Sequence, residues 1–321
     1  MLLSRVAETV YWAGRYLERA EATARIIKVH TEQFLDMPKE AASGWEPLLA
    51  ITGSREEFAE LHPEATEEHV LTFLVADPEN PSSILAALAQ SRENMRTTRP
   101  VFPREAWEAL NGLYLRAAET SEDAVPRRRR LAWLDAVIAD CQRLTGLLVG
   151  CMSQDEAYLF LRIGRHVERS DMTTRVLDVQ AGTLLAQRGG DLDAYSDMGW
   201  MSVLKSLSAY QMYRRKVQTR VRGAEVLRFL LQDPQFPRSV EHSLTKISVS
   251  MLELADHDAP MARCAAAQQL VEEAKVRSLA FEGLHDYVDE LQQRIGAIHE
   301  SVGATYFQRA QPVPQPALAS A

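Results

Sequence analysis

The chain is poor in cysteine and aromatic residues, and it has no long uncharged run. Its 321 residues include three cysteines, Cys141, Cys151 and Cys264. They lack the paired spacing of a disulfide framework or a zinc knuckle, so they read as buried thiols in a reducing compartment. No stretch approaches the ~18 consecutive apolar residues of a spanning helix. The opening MLLSRVAETVYWAGRYLER meets Arg5, Glu8 and Arg15 before any run long enough for a signal-peptide core. The expected location is therefore the cytoplasm, away from membrane. Positive charge is also in deficit: the formal net charge is −8 and the pI near 5.6. That balance argues against a nucleic-acid or anionic-membrane surface, which relies on clustered cations to displace counterions. P-loop, dinucleotide glycine fingerprint, GxSxG elbow and HExxH are all missing, so no cofactor is expected.

What the chain has is helix-forming sequence. Long runs of Ala, Leu, Glu, Arg and Gln, with no sustained apolar/polar alternation bounded by turns, predict an all-α protein. The patterns place helices near 3–36, 45–58, 66–76, 81–98, 103–120, 127–152, 155–187, 196–218, 222–232, 237–255, 260–276 and 279–303. DMPKEAASG and RGGDLDAYSD read as connecting loops, and residues 306–321, ending QPVPQPALASA, read as a disordered tail.

The second feature is repetition. YWAGRYLERAEATAR at 11–25 returns as LRIGRHVERSDMTTR at 161–175, an offset of 150; FLVADPENPSSI at 73–84 returns as FLLQDPQFPRSV at 229–240; and Trp45 is echoed by Trp200. Landmarks repeating in one order predict a helical bundle built from two tandem repeats of about 150 residues, 1–150 and 151–305. Units this long exceed the usual ~20–50-residue solenoid period, so the halves are expected to pack as one domain about a pseudo-twofold axis. In the shared DPxxP, the residue before proline is pushed out of the helical region and the second proline suits the first turn of a new helix. It reads as a helix stop and restart without chemistry.

Around the first helix, Gly14, Glu18, Glu21 and Arg25 fall on one stripe with Arg15 and Arg19 beside it, while Ala13, Leu17, Ala20, Ala24 and Ile27 form the apolar face. The second copy has Gly164, Glu168, Asp171 and Arg175, flanked by Arg165 and Arg169. A mid-helix glycine costs roughly 0.5–1 kcal/mol against alanine, so two at equivalent places suggest close approach of a helix or a ligand. Three readings of the stripes stand open: buried ion pairs joining the halves, an anion or peptide-carboxylate pocket, and a metal or acid–base centre. Charge weighs against metal. Each stripe carries two carboxylates and three arginines, whereas a bundle dimetal site wants excess carboxylate and histidine in an ExxH pattern. His166 points away from its stripe and His30 lies a turn beyond. Guanidinium forks suit carboxylates or phosphates, or a partner's acidic loop.

A third cluster, Arg92, Glu93, Asn94, Arg96 and Arg99, lies in SRENMRTTR and has no equivalent in the second copy, which makes it an asymmetric binding element or a solvated face. RRRR at 127–130 is expected to open a helix with exposed arginines, able to dock an acidic partner.

With LLSRVAETVYWAGRYLERAEATARII, SRENMRTTR, WEALN, YLFLRIGRHVERSDMTTRVLD and FLLQDPQFPRSV in order, the chain resembles the alpha-E family of bacterial all-helical proteins, to about residue 305. The resemblance implies association with circularly permuted ATP-grasp proteins of the amide-ligase type, and with transglutaminase-like cysteine peptidases. The positions it marks are Arg15, Glu18, Arg19, Glu21 and Arg25; Arg92, Glu93, Asn94 and Arg96; and Arg165, Glu168, Arg169, Asp171 and Arg175. Met95 departs from the small residue expected there. The implied role is a noncatalytic ligase partner that holds a carboxylate or peptide in an arginine-rich core. The alternatives are an enzyme using Glu18 or Glu168 as an acid–base group, and a homo-oligomeric scaffold.

Overall fold

The structure, a computed structural model, describes residues 2–36, 44–186 and 193–307, and among these it is helical with no strand. In chain order the helices are α1 (Ser4–Asp36), α2 (Glu46–Thr52), α3 (Arg55–Leu61), α4 (Glu67–Val75), α5 (Ile84–Thr97), α6 (Arg104–Glu119), α7 (Arg127–Cys151) and α8 (Glu156–Ala186). There follow α9 (Asp193–Ser206), α10 (Tyr210–Lys216), α11 (Gly223–Gln232), α12 (Val240–Met251), α13 (Asp258–Glu272), α14 (Val276–Leu279) and α15 (Leu284–Val302).

Two expected helices are broken and the last begins late, each at a residue in the left-handed backbone region. Gly53 (φ 68°) separates α2 from α3, Ser208 (φ 52°) lies between α9 and α10, and Gly283 (φ 74°) precedes α15. Helical φ is negative, so a single such residue ends the hydrogen-bond ladder; glycine takes this conformation readily at 53 and 283, whereas Ser208 does so with no signal in its residue type. The loop expected over 188–197 ends early, because α9 starts at Asp193. Residues 37–43 of the other expected loop, 188–192 of this one, and 308–321 of the expected tail lie outside the described residues.

The two DPxxP joints are built alike. Asp77 Oδ1 accepts from the Glu79 amide and Asp233 Oδ1 from the Gln235 amide, both at 2.9 Å. Ser83 donates its hydroxyl to the Asp77 carbonyl and Ser239 donates to the Asp233 carbonyl. Each serine also caps the following helix, accepting from Ala86 or His242 at 3.1 Å. This corrects the assignment of the restart to proline: Pro81 and Pro237 precede the serine caps and lie outside the helices. Two other expectations fail. Cys141 and Cys264 are buried, but Cys151, the last residue of α7, is exposed. Arg130 is fully buried beneath Trp45 and donates to Glu67 and to the carbonyls of Ala124 and Val125, so the RRRR run turns inward at its fourth residue.

The centre of the molecule is the crossing of α1 and α8, the most extensive helix–helix contact. α1 is flanked by α5 and α7, and α8 by α12 and α15; α2 packs on α8, and α9 on α1. Surrounded in this way, α1 is buried on nearly all sides from Ala20 to Ile27. The glycines set the separation. A methyl on Gly14 would stand 2.5 Å from the Leu161 carbonyl oxygen, and one on Gly164 would land on the Tyr11 carbonyl. Backbone oxygens cannot swing aside as side chains do, so the notches are steric requirements of this crossing.

Gly164→Ala and Gly14→Ala are therefore expected to destabilise the fold by roughly 3 kcal/mol or more in denaturant titrations, as overpacking against backbone does. Gly146→Ala, on an open face of α7 with no atom within 4 Å of the added methyl, serves as a control and should gain up to about 1 kcal/mol. Equal stability of all three would refute the close-crossing account.

Candidate functional site

A helix turns 100° per residue, so consecutive residues Glu18 and Arg19 diverge around α1, and Glu168 and Arg169 do the same on α8. At the close crossing each dipeptide meets the other. Arg169 grips Glu18 with two bonds, Nε to Oε1 at 2.9 Å and Nη2 to Oε2 at 2.6 Å. Arg19 grips Glu168 in the same fork, Nε to Oε1 at 2.6 Å and Nη2 to Oε2 at 3.1 Å. Arg15 adds a bond from Nε to Glu168 Oε2 at 2.7 Å. Glu18 and Glu168 are 2% and 1% exposed. The two stripes thus meet in a desolvated set of bidentate pairs, the geometry in which charge-assisted bonds are strongest.

Beyond that exchange the ends of the network differ. On the α1 side, Arg238 reaches in from the second DPxxP joint and donates to Glu18 Oε1 at 2.6 Å and Glu21 Oε1 at 2.8 Å. Arg25 donates to Glu21 and to the Ser208 hydroxyl, and Gln142 donates weakly to Glu21 at 3.5 Å. On the α8 side, Asp171 accepts from Arg175 at 2.8 Å, and the residue aligned with Arg238 is Ser82. There a cavity of about 210 Å³ opens, lined by Arg19, Thr23, Thr52, Ser82, Asp171 and Arg175 among others. Gly53 leaves room for the Arg175 guanidinium, since a methyl there would lie 2.6 Å from Nη1.

Electrostatics follow from this geometry. Burial by itself would raise the Glu18 and Glu168 pKa values, but Arg169 and Arg238 at one and Arg15 and Arg19 at the other outweigh it and hold both carboxyls below their ordinary range. Asp171 goes the other way: its burial, with Glu168 adding repulsion, outweighs the attraction of Arg175 and raises its pKa. Among the described residues the buried Nε of Arg165 has no hydrogen-bond partner, and the pKa of Arg165 is lowered by burial and by Arg169. Burial also holds His30 down to about 4 and His166 well below 6.5. Among the described residues no group of three or more His, Cys, Asp or Glu is placed to hold a metal.

The Arg92 cluster is not brought to this centre. Arg92 bonds Asn111 at 2.8 Å and lies over Trp107 and Tyr114, and Arg99 lies over Trp107. Glu93 pairs with Arg96 in solvent. Asn94 uses its backbone carbonyl to accept from Thr97 and Thr98. Met95 is a core residue. Conversely, Arg238 belongs to the network although the joint that carries it reads as chemically silent. Its one signal in the sequence is an arginine standing where the aligned joint has a serine.

Two interlocked Glu-Arg dipeptides in an all-helical frame define a helical protein with a buried charged core. The chain belongs to the Alpha-E family, described as a predicted alpha-helical domain with a conserved ER motif, whose model matches residues 2–307. Glu-Arg occurs twice in this chain, at 18–19 and 168–169. Uncharacterised proteins of Mycobacterium bovis and of two strains of Mycobacterium tuberculosis are 25% identical over 274 residues, which is 78% of this chain and 30% of theirs. The chain therefore spans about a third of the length of these relatives. No solved structure matches it.

Glu168→Gln leaves Arg15 and Arg19 as uncompensated buried charges, and a loss of about 3–5 kcal/mol is expected in denaturant titrations; Glu93→Gln, on an exposed pair, should leave the midpoint in place. A pH series checks the histidines. In the unfolded chain His30 and His166 bind protons near pH 6.5, whereas in the folded chain they stay neutral until far lower pH. Protons therefore favour the unfolded state, and stability should decline from pH 6.5 towards 4. Below about pH 4.5 it should fall again as the depressed carboxyls of Glu18 and Glu168 lose their contribution. A stability flat from pH 7.5 to 5 would show that the two imidazoles are not buried in neutral form.

Proposed function

We propose that this chain is a noncatalytic partner of an ATP-grasp type amide or peptide ligase, and that its arginine-rich core holds a carboxylate-bearing substrate or peptide. The carrying observation is the unequal fate of the two ends of the network: the Glu18 end is closed by Arg238, while Arg19 and Arg175 at the other end face an open polar cavity. Guanidinium groups lining a partly desolvated cavity suit a carboxylate. The acid–base alternative needs a carboxylate poised near neutral pH, and the arginines around Glu18 and Glu168 act against that.

The ligase reading draws on the family resemblance, and the length of the mycobacterial relatives supports it, since in them the matched region is accompanied by much further sequence. A transglutaminase-like peptidase is a second partner of the same system. The cytoplasm is the proposed location; among the described residues no helix is long and apolar enough to cross a membrane. We also infer that residues 1–150 and 151–305 descend from a duplication and pack as one domain about a pseudo-twofold axis. The reciprocal neighbours of α1 and α8, and the matching joints at Asp77 and Asp233, favour this.

The purified chain should co-elute with a circularly permuted ATP-grasp protein from the same organism and change its ATP turnover. Arg175→Ala, at a side chain one-third exposed, should keep the complex but weaken the response to substrate. Absence of a complex together with unchanged turnover would overturn the proposal.

A further inference from the structure

The cavity beside Ser82 has a filled counterpart in the same molecule. Aligning FLVADPENPSSI with FLLQDPQFPRSV sets Ser82 against Arg238. Arg238 puts its guanidinium between Glu18 and Glu21, at 2.6 and 2.8 Å. The corresponding carboxylates on α8 are Glu168 and Asp171, and both line the space that Ser82 is too short to fill. The cavity of about 210 Å³ is thus the place a cationic group occupies at the other end of the network.

Several groups around it are left short of partners. Among the described residues the Asp171 carboxylate accepts only from Arg175, and Arg175 donates only through Nε, to that same carboxylate. Thr23, 1% exposed, is among the residues that line the cavity, and its buried hydroxyl has no hydrogen-bond partner among the described residues; buried polar atoms of that kind are few in folded proteins. Burial also disfavours the charged form of Asp171, as expected where a second cation is missing. A carboxylate wanting a donor therefore stands beside a guanidinium wanting an acceptor, one helical turn apart on α8. Inorganic phosphate would meet repulsion from Asp171, and a simple amine would leave Arg175 unmet. A ligand with its own cation and anion on neighbouring atoms satisfies both.

We propose that this cavity binds a free α-amino acid, its ammonium group beside Asp171 in the Arg238-like position, its carboxylate on the outer nitrogens of Arg175, and the Thr23 hydroxyl bonded to one of them. Arg15, Arg19 and Arg175 exceed Glu168 and Asp171 by one positive charge, so within this class the acidic L-glutamate and L-aspartate fit best. The inference rests on the carboxylate-holding part of the proposed function and narrows it to one substrate class.

Isothermal titration of the full chain tests it, with L-glutamate, L-aspartate and L-alanine as probes and with N-acetyl-L-glutamate and L-glutamate α-amide as derivatives lacking one charge each. The expected result is binding of L-glutamate that weakens about tenfold or more when either charge is removed. Ser82→Arg should abolish binding, because the new guanidinium takes the slot, without lowering the unfolding midpoint. Thr23→Val, nearly isosteric, gives an independent variant should Ser82→Arg fold poorly, and about tenfold weaker binding is expected of it. Equal binding of N-acetyl-L-glutamate would overturn the amino-acid assignment and leave the carboxylate-holding ligase partner standing. No heat with any probe at millimolar concentration, or binding unaffected by both variants, would also overturn it. Amino-acid binding without complex formation would remove the ligase proposal alone.

Discussion

The separation of α1 and α8 at Gly14 and Gly164 governs the rest of the centre, because it brings the two Glu-Arg dipeptides within reach of each other. With carbonyl oxygens occupying the space where side chains would begin, the helices approach closely enough for Glu18 to face Arg169 and Glu168 to face Arg19. A wider crossing would leave four charges in a dry interior without bonds, a state far costlier than never burying them. The glycines and the ion pairs are therefore one device: the first makes the distance, and the second needs it.

The device also explains why a core this polar is tolerated. Each glutamate receives three guanidinium nitrogens, so the desolvation of the carboxylates is answered by bonds of good geometry. The surplus of arginine is carried unevenly. At Glu21 it is spent on a closed cluster with Arg25 and Arg238, whereas at Asp171 one arginine is absent and a cavity remains. The network thereby ends in one closed end and one open end, and the two differ by serine or arginine at aligned loop positions, Ser82 and Arg238.

Much of this was legible along the chain and some was not. The phrases around Gly14 and Gly164 carry the stripe, the notch and the repetition, since these depend on spacing along one helix. Arg130 reads as exposed because its three neighbouring arginines do face solvent, and nothing local distinguishes the fourth, which turns under Trp45. The place of Arg238 in the network is not legible locally, because a loop position has no periodicity to read. Cys151 ends α7 on an exposed face, whereas Cys141 lies mid-helix on the buried one. Of the left-handed residues at helix boundaries, Gly53 and Gly283 carry the glycine signal, while Ser208 ends a helix with nothing in its residue type to mark it.

The sequence by itself determined the helical class, the two glycine-headed stripes and the serine-for-arginine difference between the joints. Those follow from propensity, from a turn of 100° per residue and from alignment of the chain with itself. Only the tertiary structure decided which carboxylate each arginine takes, that Asp171 is left with one partner among the described residues, and that the space beside Ser82 stays open. These depend on distances between residues some 150 positions apart, which are set by how two helices cross and by no pattern within either one.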